Sequence, residues 1–323
     1  MRIGILGAAS IAPTALIGPA AVVPEVEVTA IAARDRTRAE AFARKHGIAQ
    51  VYDSYADLLS AVDAVYIPLP NSLHARWTLQ ALAAGRHVLC EKPLTANAAE
   101  ARQVAEEARR TGLTVMEGFH YRYHPLAERM REIAATELGA IRRVESSMCF
   151  PLPKFGDIRY RLDLAGGATM DAGCYAIHSM RLFEPDRPEV TAARALLRSP
   201  GVDRAMTADF RFRSGAVGRI NASMWSRSLL RIGLRVEGER GTMKVLNHVL
   251  PQAFHRVTVT VDGVTRRERI PGEPTYVRQL RAFASAVSGA GTNLTPPEDS
   301  VVNMELIDDV YRAAGLHPRG TVG

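Results

Sequence analysis

Cysteine is scarce in this chain. Only Cys90, Cys149 and Cys174 occur in 323 residues. The number is odd and no CxxC pair is present, which argues against a disulfide framework and fits a reducing cytoplasm. Aromatic residues make up 6%, too few to suggest a broad stacking platform for a long polysaccharide. Charge of one sign is not concentrated either. Lys and Arg number 41 against 34 Asp and Glu, a net charge of +7. The excess is scattered, with Arg109-Arg110, Arg142-Arg143 and Arg266-Arg267 far apart. No nucleic-acid arm and no polybasic membrane patch is expected. Long apolar runs are missing too. Ile3 to Pro24 carries no charge, but Gly4, Gly7, Ser10, Pro13, Gly18 and Pro19 interrupt it. A signal peptide or membrane helix is more continuously apolar, so no membrane association is expected. No GxSxG elbow occurs. His120 and His124 have the i, i+4 spacing of a zinc pair but lack the HExxH glutamate and a third ligand, so no metal is expected.

What remains is ordinary globular composition, 47% hydrophobic and 23% charged. The length suggests two domains at about 100–200 residues each. The first third alternates. Arg2–Leu6 and Val26–Ala33 read as strands. Arg36–His46 reads as a helix stopped at Gly47. Asp63–Leu69 is a buried strand, Ser72–Ala84 a helix, Arg86–Cys90 a strand, Ala98–Arg110 a helix stopped at Gly112, and Leu113–Met116 a strand. Short apolar strands alternating with helices imply right-handed βαβ units and a parallel sheet covered on both faces. The fold class is therefore α/β, with an N-terminal doubly wound parallel sheet over 1–118.

Residues 119–323 change character. Met206, Ala208, Phe210 and Phe212 alternate with polar neighbours, as do Val257, Val259 and Val261 before an Asp262-Gly263 hairpin turn. Ser214-Gly215 reads as another turn. This predicts a C-terminal α+β domain with a large, mostly antiparallel open sheet covered on one side. Two helices close the chain, Tyr276–Ser288 and Pro297–Ala314, and these last helices have the option of packing back on the first domain. An uncovered sheet face suggests a homodimer or larger homo-oligomer.

Gly7-Ala8-Ala9-Ser10-Ile11-Ala12 follows the first strand where a GxGxxG/A turn would bring backbone N–H groups to a pyrophosphate, with Ala9 replacing the second glycine. At the end of the second strand, NAD-preferring folds carry an acid for the ribose 2′-OH. Here Ala33 fills that slot, with Arg34 beside it and Arg38 one turn later. Guanidinium groups bind a 2′-phosphate that a carboxylate would repel, which favours NADP over NAD. The competing reading makes Asp35 the ribose ligand and the two arginines a solvated pair. Lys92, in Cys90-Glu91-Lys92-Pro93, follows the strand Arg86–Cys90, at the end where ligands of open parallel sheets sit. Desolvation lowers a lysine pKa and suits it to proton transfer or to polarising an oxygen. Pro93 is a plausible cis proline.

The glycine turn, the Glu91-Lys92-Pro93 triplet and Gly166-Gly167-Ala168-Thr169-Met170-Asp171-Ala172-Gly173-Cys174-Tyr175 together resemble the Gfo/Idh/MocA oxidoreductases over nearly the whole chain. Glu117–Pro125 and Pro296–Leu316 are most similar to the NADP-dependent D-xylose and dihydrodiol dehydrogenase branch. The resemblance implies a Rossmann first domain and makes Lys92 the active-site lysine, with Asp171 and Tyr175 as the Asp-x-x-x-His/Tyr pair. Residues four apart on a helix share a face, so that spacing suits one substrate hydroxyl. His178, seven residues after Asp171, reads first as a hydrogen-bonded helix histidine and second as an alternative acid–base group. The resemblance also lays Gly7, Ala9, Ser10, Ile11, Leu69, Pro70, Asn71, His74, Glu91, Lys92 and Arg122 along the cofactor. Asn71 is a candidate cap for the following helix, and His74 either faces the pocket or lies on the helix surface.

These readings converge on an NADP-dependent oxidoreductase acting on the hydroxyl or carbonyl of a sugar, cyclic polyol or diol. The alternatives are a redox-assisted glycoside-cleaving enzyme of the same fold and a catalytically silent NADP-binding regulator. A silent protein has no need of both Lys92 and Tyr175.

Overall fold

The computed structural model describes residues 1–184, 186–227 and 230–320. Contacts divide the chain into two units, Met1–Tyr123 with Pro274–Val301, and His124–Glu273 with Val302–Gly323. The sequence suggested a boundary at 118, with the last helices free to pack back on the first domain. The first unit runs to Tyr123 and also takes in a later stretch that includes a whole helix.

In the first unit, β1 (Arg2–Leu6) leads through a π-helical turn, Pro13–Ile17, into the short helix α1 (Gly18–Ala20). Then come β2 (Glu27–Ala32), α2 (Arg36–His46), β3 (Gln50–Tyr52), α3 (Tyr55–Ala61), β4 (Ala64–Ile67), α4 (His74–Ala83), β5 (His87–Cys90), α5 (Ala98–Thr111) and β6 (Val115–Glu117). All pairings are parallel, in the order β3-β2-β1-β4-β5-β6. The order reverses between β1 and β4, the switch point where doubly wound sheets bind ligands. Alternation along each strand divides the core between two faces. Ile3, Ile5, Ile31, Tyr66, Leu89 and Met116 pack on one side. Leu6, Ala32, Val65, Ile67, Val88 and Cys90 pack on the other. The first face is completed by Val277, Leu280 and Phe283, which come from α8 (Thr275–Val287).

The second unit opens with α6 (Pro125–Thr136), capped by His124, whose Nδ1 accepts the Leu126 N–H at 3.1 Å. Its strands are β7 (Ile141–Cys149), β8 (Glu189–Ser199), β9 (Val202–Arg211), β10 (Val217–Ser223), β11 (Arg231–Gly238), β12 (Gly241–Leu246), β13 (Arg256–Val261) and β14 (Val264–Glu268). They form one sheet in the order β14-β13-β12-β11-β7-β10-β9-β8. Every pairing is antiparallel except β7 with β10. The Asp262-Gly263 turn has positive φ at both residues, as a type I′ hairpin requires. Met206, Ala208 and Phe210 face inward beside Ile220, Val144, Leu234 and Val236. Against this inner face lies α7 (Cys174–Met180), every residue of which is buried. A π-helical turn, Thr169–Gly173, leads into it. The last helix, α9, runs over Pro297–Ala313.

Candidate active site

The first unit assembles the dinucleotide features at the switch point. The Gly7 N–H donates to the Ala32 carbonyl at 2.7 Å, joining the ends of β1 and β2. Gly7 has φ +101°, and a Cβ there would come within 2.9 Å of Leu69 Cδ2. Only glycine satisfies both conditions. Gly7, Ala32 and Leu69 thus meet, and the missing side chain at position 7 leaves backbone open where a pyrophosphate would approach. Ser10, Arg34 and Arg38 are exposed, whereas Ala9, Ile11, Ala33, Leu69 and Pro70 are half-buried. Arg38 Nη2 donates to the Ala8 carbonyl at 2.8 Å, which brings its guanidinium to the turn. Asp35 Oδ1 accepts the Arg38 N–H at 3.1 Å and caps α2. That carboxylate is occupied as a cap, which weighs against its serving as a ribose ligand. Arg36 is neutralised by Glu40 and Asp53. Among the described residues Arg34 and Arg38 make no ion pair, so these two cations suit a 2′-phosphate. Tyr55, which no sequence motif singles out, places its hydroxyl near Gly7.

Lys92 is half-buried just past β5, and its neighbours on both sides are tied down. The Tyr66 hydroxyl donates to Glu91 Oε1 at 2.7 Å. The Lys92-Pro93 bond is cis. The His74 ring lies 2.7 Å from the Pro93 carbonyl through Nδ1 and 2.7 Å from the Leu69 carbonyl through Nε2. His74 is therefore buried between two loops rather than on the helix surface. Burial pushes its pKa down, the carbonyls partly offset this, and the Lys92 charge adds to the fall. The Leu94 N–H donates to Glu117 Oε1 at 2.9 Å, and Glu117 Oε2 accepts the Ser300 hydroxyl at 2.5 Å. His120 bonds the Thr275 hydroxyl at 2.8 Å, and burial, reinforced by Lys92, pushes its pKa down to about 3. His120 is thus neutral across the working range. Arg122 is half-buried. Asn71 starts a 3-10 turn that leads into α4, whose N-cap position is Leu73. Tyr66 and Glu117 were not legible as functional residues, because their partners are 25 and 23 residues away.

The second unit carries the other pair. Asp171 lies in the π-helical turn and Tyr175 in the first turn of α7. The pair therefore spans a change of helical pitch rather than lying on one regular helix. Asp171 Oδ2 accepts an ion pair from Arg159 Nε at 3.0 Å. Arg159 in turn contacts Asp157 at 3.1 Å, and Asp171 is the chief cause of its raised pKa. Arg159 lies in an irregular stretch with no periodicity, which is why sequence patterns passed over it. Tyr175 is 5% exposed and His178 3%. Asn303 Nδ2 donates to the Cys174 carbonyl at 3.3 Å, fixing the residue before Tyr175.

Residues 1–119 match the model of the oxidoreductase family with an NAD-binding Rossmann fold, and 128–244 match the GFO/IDH/MocA C-terminal domain. The chain belongs to the GFO/IDH/MocA oxidoreductase family. Within the family it is 42% identical over 319 residues to D-xylose 1-dehydrogenase (NADP(+)) 2 of Haloferax volcanii, covering 97% of each chain. It is 34% identical over 229 residues to trans-1,2-dihydrobenzene-1,2-diol dehydrogenase of Sus scrofa, covering 69% of this chain and 67% of that one. Among solved structures, the 3-ketoreductase KijD10 of Actinomadura kijaniata, crystallised with NADP and TDP-benzene, matches with a TM-score of 0.90 and 31% identity over 97% of each chain. As a GFO/IDH/MocA protein, the chain has both parts of that architecture, the six-stranded parallel sheet and the large, mostly antiparallel one.

Proposed function

We propose that this chain is an NADP-dependent oxidoreductase of the CH–OH group, acting on a sugar or a related polyol or diol. The observation that carries this is the 42% identity, end to end, with a D-xylose 1-dehydrogenase that uses NADP. The exposed Arg34 and Arg38 beside the Gly7 turn support the choice of NADP over NAD. When bound, NADP⁺ supplies the acceptor for the hydride that leaves the CH–OH carbon. Tyr175 takes the hydroxyl proton onto its phenolic oxygen. A tyrosine with an ordinary pKa of about 10 is mostly protonated at neutral pH, so a cation is needed to favour the phenolate. The family resemblance, rather than a contact in the structure, assigns that part to Lys92, whose neighbours Glu91 and Pro93 are held by Tyr66 and His74. Asp171, itself oriented by Arg159, fixes the substrate hydroxyl. In the reductive direction the same proton returns from Tyr175 to the carbonyl oxygen.

The test is a panel of aldoses, inositols and diols with NADP⁺, headed by D-xylose and read as formation of reduced nicotinamide. Keto sugars with NADPH form the reverse arm. Absence of turnover in both directions would remove this reading.

A homodimer or larger homo-oligomer built on the second unit belongs to the same proposal. The outward sheet face carries the oppositely charged pairs Arg143–Glu145, Arg219–Asp209 and Arg235–Glu237. A two-fold copy can match such a face to itself. Sedimentation showing only monomer at micromolar concentration would reject it. Three free, buried cysteines support a reducing, cytoplasmic setting.

A further inference from the structure

The side chains of Arg319 and Asp203 are 1% and 0% exposed, and they pair at 2.8 Å. Both are charged groups outside the chemistry described above. Asp203 accepts four bonds. Its Oδ1 takes Arg319 Nη2 and, at 3.1 Å, the Tyr311 hydroxyl. Its Oδ2 takes the Thr169 N–H at 2.7 Å and the Thr169 hydroxyl at 2.6 Å. All the acceptor sites of the carboxylate are thereby used. Arg319 donates through Nε to the Gly166 carbonyl at 2.8 Å and through Nη1 to the His317 carbonyl at 3.3 Å. Its guanidinium carbon lies 4.0 Å from the Tyr311 ring centroid, a cation–π contact.

The cluster encloses one piece of backbone, Gly166 to Thr169. Gly167 has φ +137°, and a Cβ there would fall 2.2 Å from Asp203 Oδ1, 2.8 Å from the Tyr311 hydroxyl and 2.9 Å from Arg319 Nη2. The chain has therefore given up a side chain to let the ion pair close on its backbone. The next link reaches the candidate catalytic segment. The Gly167 carbonyl accepts the Asp171 N–H at 3.0 Å, and the Gly167 N–H donates to the carbonyl of Arg159, whose side chain holds Asp171.

We propose that Arg319 is a positioning residue for the Asp171–Tyr175 segment, acting with Asp203 through Gly166, Gly167 and Thr169. This rests on the reading of Asp171 and Tyr175 given above. A buried arginine beyond the last helix, 153 residues from Gly166, thereby sets the geometry of the proton-transfer group. Misplacement of a reacting group by about 1 Å costs about 100-fold in rate.

The experiment is a mutant cycle with D-xylose and NADP⁺ as probes, run on the full chain well below each variant's melting temperature. Arg319→Met is expected to lower kcat by about 100-fold. NADP⁺ affinity, read by fluorescence titration, is expected to stay at the parent value, because no member of the cluster belongs to the first unit. Arg319→Lys keeps the charge for Asp203 but loses the bond to Gly166, and it should recover part of the rate. Combining Arg319→Met with Tyr175→Phe should lose little more than Tyr175→Phe alone, since both act on one event. Parental kcat in folded Arg319→Met, or fully multiplicative losses, would overturn the proposal. Should Arg319→Met not fold, Tyr311→Phe removes one bond to Asp203 and enters the same cycle. It should cost about 2–10-fold in kcat, the equivalent of one hydrogen bond, and a lowered melting temperature with unchanged kcat would count against the proposal. Parental turnover in Tyr175→Phe alone would remove the role of Tyr175 and this inference with it. A slow Tyr175→Phe beside a fast Arg319→Met would remove only the inference.

Discussion

The Tyr66 hydroxyl, at the centre of the parallel sheet, donates a 2.7 Å hydrogen bond to Glu91, the residue before Lys92. Burial and the adjacent carboxylate push the Tyr66 pKa well up, so the phenol stays a donor at every working pH. Hydrogen bonds to charged groups contribute about 1.5–3 kcal/mol. Tyr66→Phe should therefore lower stability by about that amount in a urea titration. A loss below about 0.5 kcal/mol would mean that the bond is replaced by solvent.

The cofactor preference should reside in Arg34 and Arg38. Binding of NADP⁺ is expected to exceed that of NAD⁺ by at least about tenfold, or 1.4 kcal/mol. Arg34→Ala and Arg38→Ala should each narrow the gap by weakening NADP⁺ while leaving NAD⁺ nearly unchanged. Equal affinities in the parent protein, measured by calorimetry, would contradict this.

Lys92→Met keeps the apolar stem and deletes the cation, and Tyr175→Phe keeps the ring and deletes the proton carrier. General acid–base catalysis contributes about 10²–10⁴ in rate. Each variant should fall by that factor with NADP⁺ affinity retained, and the double variant should lose far less than the product. Asp171→Asn should cost less than either. If Tyr175→Phe turned over normally, His178 would become the candidate acid–base residue.

Stability should fall in acid through Glu268. Hydrogen bonding to Arg129, followed by Arg266, holds its pKa down to about 2, against the ordinary glutamate value of about 4.3. The folded state thus binds fewer protons than the unfolded state in this window. The stabilisation is complete above about 4.3 and is lost as pH falls towards about 2. Urea midpoints at pH 6 and pH 3 should diverge more in the parent than in Glu268→Gln. Identical slopes would dismiss the network as a pH sensor.

Much of the first unit could be read from short apolar runs and from glycines at helix ends, as at Gly47 after α2 and Gly112 after α5. β3 escapes such a reading because three residues show no period. α3 has a usable signal, Ser54 accepting the Asp57 N–H, that a search for hydrophobic faces passes over. The parallel pairing of β7 with β10 inside an otherwise antiparallel sheet leaves no mark on alternation. Both π-helical turns are likewise silent. At the site, Gly7, Lys92, Asp171 and Tyr175 stand in compact motifs. Arg159 and Arg319 do not, since their roles come from packing outside any local pattern.

The helix α8 has a consequence for how the protein is made. It completes a hydrophobic face of the first unit, yet it lies after residue 273, behind nearly all of the second unit. A ribosome adding about 5–20 residues per second needs roughly 8–30 s to travel from Tyr123 to Thr275. During that interval Ile3, Ile5 and Leu89 belong to a sheet whose covering helix does not yet exist. The nascent dinucleotide unit therefore emerges with an open apolar flank, and a chain released before Val287 should be a substrate for holdase chaperones rather than a folded fragment.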